Sequence, residues 1–201
     1  MLISIRKTVC VLICSLLFSV SAFSMDLRGS FFLGTGFTLG QLQPNFSGID
    51  NTILMEGRLH ADYAILQWLS IGIESGFSTA QIGNTDFSVG VVPIIARISW
   101  HPFSLQNLDP YIVGKAGYGF GFWTKNGTDY NWTDPCGGFV WGIDLGMRYF
   151  FSQAIGVFIE AGYECQCFGW EHPGMETAKW EDAANGHSYV TLGLTIKLGG
   201  N

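Results

Sequence analysis

The stretch TILMEGRLHADY, residues 52–63, narrows most sharply what this chain can fold into. Glu56, Arg58, His60 and Asp62 take every second position, with Met55, Gly57, Leu59, Ala61 and Tyr63 between them. Successive side chains of a strand point to opposite faces, so one face carries the ionisable groups and the other is apolar. Only 13% of the chain is charged, well below the usual quarter, so charge is too scarce to cover an ordinary soluble surface.

The same alternation recurs in seven further segments. In residues 26–40 the odd positions Leu27, Phe31, Leu33, Phe37 and Leu39 are apolar, and Phe32 breaks the pattern. Segments 69–78, 86–100, 110–123, 138–150, 155–168 and 188–198 follow the rule, with a phase slip expected as a bulge near Val92-Pro93. Each segment is long enough to cross a bilayer as a tilted strand of about 9–11 residues. An even number of strands closes an antiparallel barrel with both termini on one side. The expected fold is all-β, a transmembrane eight-stranded antiparallel β-barrel.

The N-terminus reads as an export signal. Arg6 and Lys7 precede an apolar run from Val9 to Val20, and Ala22 and Ser24 stand at the −3 and −1 positions of a cleavage site. Residues 1–24 are therefore expected to be a signal peptide and residues 25–201 the barrel. No run of 18 apolar residues follows, so strands rather than helices must span. Export implies an oxidising compartment for Cys136, Cys165 and Cys167. A turn near 152–153 would bring position 136 opposite about 169, so a Cys136–Cys167 disulfide and three separate thiols both remain open. A net charge of −6 offers no basic patch for phosphates, which argues against nucleic acid.

Aromatic residues support the same map. Tyr63, Trp68, Trp100, Phe103, Tyr149 and Phe151 fall at one set of segment ends, and Phe122, Trp123, Trp132, Phe139, Phe168 and Trp170 at the other. Two girdles flanking an apolar band fit a membrane barrel, because amphipathic rings favour the interface. The stretches DPYIVGKAGYGFG and IEAGYE resemble recurring strands of the OmpA/OmpX-type small eight-stranded outer-membrane barrels, with OmpW-like barrels as neighbours. The resemblance implies a bacterial outer-membrane location, contact with the lipid bilayer and the outer-membrane assembly machinery, and no cofactor.

A barrel of this size has an interior that side chains fill. The inward phase places Arg28, Glu56, Arg58, His60, Asp62, Glu74, Arg97, Lys115, Asp144, Arg148, Glu160, Glu164 and Lys197 there as an interior charge network. Facing lipid, an Arg or Lys would cost about 2–4 kcal/mol at the bilayer midplane, so cost and phase agree. No catalytic, metal or cofactor residue is assigned. His187 and Ser188 are adjacent in a strand and point apart, which is poor geometry for a nucleophile and its base. Segments 41–51, 125–136 and 169–187 read as long outer loops, with Trp132, Trp170 and Trp180 as a loop binding surface for a host or matrix ligand. The expected role is a surface-exposed outer-membrane barrel with a structural, adhesive or ligand-binding function; the alternative is a narrow porin-like channel for small or hydrophobic solutes.

Overall fold

The computed structural model describes residues 25–43, 52–81, 87–125, 129–169 and 183–200. Eight strands follow in chain order: β1 (Phe31–Gln43), β2 (Thr52–Leu66), β3 (Leu69–Gln81), β4 (Phe87–Trp100), β5 (Leu108–Lys125), β6 (Asp129–Phe150), β7 (Ile155–Gly169) and β8 (Ala183–Leu198). Each pairs antiparallel with its neighbours, and β1 with β8, so the barrel is closed and no edge stays unpaired. Leu33, for example, lies opposite Ala61 in β2 and Ile196 in β8. The described residues contain no helix.

Polarity is inverted relative to a soluble barrel. Leu59, Ile73, Leu145 and Leu192 are exposed on the outer wall at 61–65%, whereas Arg58, Arg97 and Arg148 are buried in the bore at 2% or less. A continuous apolar outer wall suits hydrocarbon, and a closed ladder is one of two backbone solutions that survive there. Tyr63, Trp68, Trp100, Tyr149 and Phe151 ring the end with the short turns, and Phe77, Tyr118, Phe120 and Phe139 lie exposed towards the other. Short turns mark the periplasmic end in barrels of this kind.

The strand phase departs from expectation at the N-terminal end. Pairing starts at Phe31, and residues 25–30 turn back beneath the barrel: Ser30 N–H donates to Leu27 O, and Gly29 N–H to Ala64 O. Alternation stops meaning in and out once the chain leaves the ladder. Leu27, expected outward, is therefore buried with Phe32, Ala64 and Phe150, and this contact explains why Phe32 broke the pattern. Arg28, expected inside, is exposed. Lys197 sits half-buried at the rim, its Nζ donating to Asp26 O at 3.4 Å, within electrostatic reach of Asp109 but outside the main run of bore charges.

The bulge expected at Val92-Pro93 is absent. Ser75 faces Ile94 and Ser78 faces Val91 in one unshifted register, so Val91, Pro93 and Ile95 all turn inward. Pro93 cannot donate to the ladder, and Ser75 Oγ donates to its carbonyl at 2.8 Å.

The expected outer loop 125–136 is mostly strand. Residues 129–136 belong to β6, and the register breaks where Gly121 faces Cys136 but Trp123 faces Asn131. Trp132 lies within that break, with its side chain outside the described residues, as are Trp170 and Trp180 altogether. Cys167 lies opposite Phe139, three residues along β6 from Cys136 and so about 10 Å away at 3.4 Å per residue. Cys165 and Cys167 carry free thiols, with sulfurs 3.9 Å apart, and the side chain of Cys136 lies outside the described residues.

Candidate functional site

Inward positions of β2 to β8 converge on the bore and form one connected set of charges. At the periplasmic end Arg148 of β6 donates to Asp62 of β2 at 2.7 Å and to Asp109 of β5 at 3.2 Å. Its guanidinium is stacked 4.2 Å from the ring centre of Tyr111 and 4.6 Å from that of Phe32. Midway, Arg97 of β4 binds Glu74 of β3 and donates to Glu160 of β7 at 2.6 Å, and its Nε lies 3.4 Å from Asp62. Tyr111 also donates to Glu160, at 2.9 Å.

Towards the outer end Lys115 of β5 lies 3.0–3.3 Å from Glu74, Asp144 and Glu164. Its Nζ also donates to the Tyr189 hydroxyl, which in turn donates to Asp144. Arg58 lies 2.7 Å from Glu56 and 4.0 Å from the centre of the Tyr189 ring. His60 rests edge-on against Phe158 at 4.9 Å, and His187 tilts against Tyr189 at 5.5 Å. Charges this deeply buried persist only where partners replace water, because desolvating each ion costs several kcal/mol.

Glycine makes room for these side chains. A Cβ at Gly34 would collide with the His60 ring, at Gly72 with Asp62 Oδ1, and at Gly146 with the Tyr111 ring. The inward glycines are thus the complements of large neighbours in the adjoining strands.

The floor holds a grouping that the sequence did not disclose. Ser70 Oγ lies 3.0 Å from His101 Nε2, and His101 Nδ1 lies 2.7 Å from Asp109 Oδ1. The connectivity is that of a nucleophile, a base and an orienting carboxylate. All three side chains are at most 1% exposed, however, and the second oxygen of Asp109 is engaged by Arg148. A hydroxyl with no surface meets no substrate, so these bonds fasten the floor: they tie β3, the 101–107 connection, β5 and β6 together. Ser104, in the same connection, donates to Met25 O at 2.8 Å and fixes the N-terminal segment across it.

Of the charged residues expected inside, eleven meet in the bore and two, Arg28 and Lys197, do not. Asp109, Tyr111, His187 and Tyr189 join the network although the sequence reading did not place them in the interior; each shares the inward parity of Lys115 or Thr191 on its own strand. His101 had no such signal, because it lies beyond the end of β4.

No protein-family model matches the chain, and no curated protein matches its sequence. Solved structures do. Neisserial surface protein A superposes with a TM-score of 0.56 at 16% identity, over 85% of this chain and 100% of that one. Ail, the attachment invasion locus protein of Yersinia pestis, gives 0.50 at 14%, over 85% and 99%. The outer membrane protein OprG of Pseudomonas aeruginosa gives 0.50 at 11%, over 87% and 98%. The fold is that of these small eight-stranded outer-membrane barrels, and the apolar outer wall suits a lipid bilayer.

Proposed function

We propose that the barrel is a sealed membrane anchor whose role is exercised at the cell surface, as a structural, adhesive or ligand-binding protein. One observation carries this reading: the cross-linked charges of the bore run from Asp109 near the floor to Glu56 and His187 near the outer end, with every member buried. Such a network suits a plug better than a path, since a moving ion would have to break several desolvated pairs at once.

The chemistry at the surface follows from charge. The outer strand ends and the segments beyond them hold Asp50, Asp129, Asp134, Glu171, Glu176, Glu181 and Asp182 against Lys125 and Lys179. Ail has been crystallised with the heparin analogue sucrose octasulfate. An acidic surface repels such a polyanion, so the partner proposed for this chain is basic, with Trp132, Trp170 and Trp180 as its apolar anchors.

The test is conductance of the refolded protein in a planar bilayer. Silence, unchanged by Glu56→Ala and Arg58→Ala, is the expected result. Discrete openings whose selectivity follows those residues would replace the sealed barrel by a channel. That second reading has its own support: near the outer end Leu54, Val91 and Val140 turn inward beside the polar Ser78 and Gln166, and the apolar members would suit a hydrophobic solute entering from outside. Deleting 170–182 should abolish capture of a basic partner and leave heat-dependent gel mobility intact.

A further inference from the structure

Two cysteines share one face of β7. Cys165 and Cys167 are alternate residues, so both point outward, away from Glu164 and Gln166, which are buried in the bore. Their sulfurs are 3.9 Å apart, in contact and not bonded. Cys167 stands beside Phe139 in the ladder, and Phe139 pairs in turn with Tyr118, so the thiols lie at the level of the outer aromatic ring. They differ in access: Cys167 is exposed, while Cys165, opposite Trp141, is only 5% exposed.

The outer side of such a membrane is oxidising, and thiols in contact there are open to disulfide formation. Residues two apart on a strand advance about 6.8 Å, the upper end of the range of about 4.4–6.8 Å found between the Cα atoms of bridged cysteines. A bond between these two would shorten the strand and store strain, and strained disulfides are the readily reduced ones. The end of β7 can take up that contraction. The strand stops two residues beyond Cys167, and its ladder partners there include Gly137, Gly138 and Gly186, which brace a strand least.

We propose that Cys165 and Cys167 are a reversible dithiol–disulfide couple that exchanges with low-molecular-weight disulfides at the outer membrane surface. The exposed Cys167, as its thiolate, attacks one sulfur of the external disulfide. That S–S bond breaks; one half leaves and takes up a proton, and the other stays on Cys167 as a mixed disulfide. Cys165, already in contact, gives up its proton and attacks the Cys167 sulfur, expelling the second half as a thiol. Two protein thiols are oxidised to one disulfide, and one external disulfide is reduced to two thiols. In reverse, an external thiol attacks the Cys167 sulfur and restores the pair. The site is independent of the sealed-barrel reading, and conductance does not bear on it.

The experiment equilibrates the barrel, residues 25–201 refolded into lipid vesicles, in buffers of graded reduced and oxidised glutathione. Free thiols are then blocked by alkylation at acid quench, and the products are mapped by peptide mass. Of the three thiols in Cys136, Cys165 and Cys167, two should be lost together in one step within the glutathione range, bridged between positions 165 and 167. They should return when the ratio is reversed. Cys136→Ser should leave the step unchanged, Cys167→Ser should abolish it, and Cys165→Ser should stop at a stable glutathione adduct on Cys167. Heat-dependent gel mobility checks that each variant folds, and the map of the unsubstituted barrel decides the matter should a variant fail. A bridge to Cys136, three thiols surviving the most oxidising buffer, or a bridge that reduced glutathione cannot open would each overturn the proposal.

Discussion

Arg97 serves three carboxylates with one guanidinium, and its environment could be read from the sequence only in half. Parity placed it inside. Its partners come from β2, β3 and β7, and no pattern within β4 names them. The consequence is measurable. Arg97→Met should destabilise the barrel by about 3–5 kcal/mol in urea-titrated folding, since removing one side of a buried pair strands the others. Arg97→Met with Glu160→Gln should recover part of that loss, which would show that stranded charge rather than lost packing causes it. Gly162 is a complementary case: a Cβ there would collide with Asp144 Oδ1 and the Ile143 carbonyl, so Gly162→Ala should displace Asp144 from the Tyr189 hydroxyl. Loss of the Tyr189 environment, read by its near-ultraviolet circular dichroism, checks it.

At the scale of the strand, a period of two carries nearly all the information. Leu59 is mid-strand in β2, exposed on the outer wall, and flanked by the buried Arg58 and His60. Leu59→Arg should cost about 2–4 kcal/mol in folding into lipid vesicles, the price of a cation at the bilayer midplane. A much smaller loss would mean that this face does not meet hydrocarbon. Alternation failed where strands end or where hydrogen bonding overrides composition. Pro93 looked like a bulge because Val92-Pro93 breaks the hydropathy pattern, yet the β3–β4 register runs past it unshifted. The extent of β6 was missed because Asp, Asn, Pro and Gly in DYNWTDPCGG read as loop, whereas pairing with β5 carries the strand out to Asp129.

At the scale of the molecule, the floor is the part built from the most distant pieces of chain. Leu27, Phe32, Ala64 and Phe150 close it, and Ser70, His101, Asp109 and Arg148 bind the layer above. Leu27→Ala should cost about 2–5 kcal/mol with the strand signal in circular dichroism retained, whereas Arg28→Ala, on the exposed side of the same segment, should change stability by less than about 0.5 kcal/mol. Equal effects would mean that residues 25–30 do not seat in the barrel. The alternation of side chains was enough to determine a closed eight-stranded membrane barrel, because a period of two with an apolar face and a charged face has one environment that satisfies both. Eleven of the buried charges followed from the same rule. Only the tertiary structure decided which carboxylate meets which cation, that residues 25–30 fold under the bore, and that Ser70, His101 and Asp109 share one chain of hydrogen bonds. Those contacts depend on register and on segments outside the ladder, where a side chain's direction is set by what it packs against and no longer by its position in the repeat.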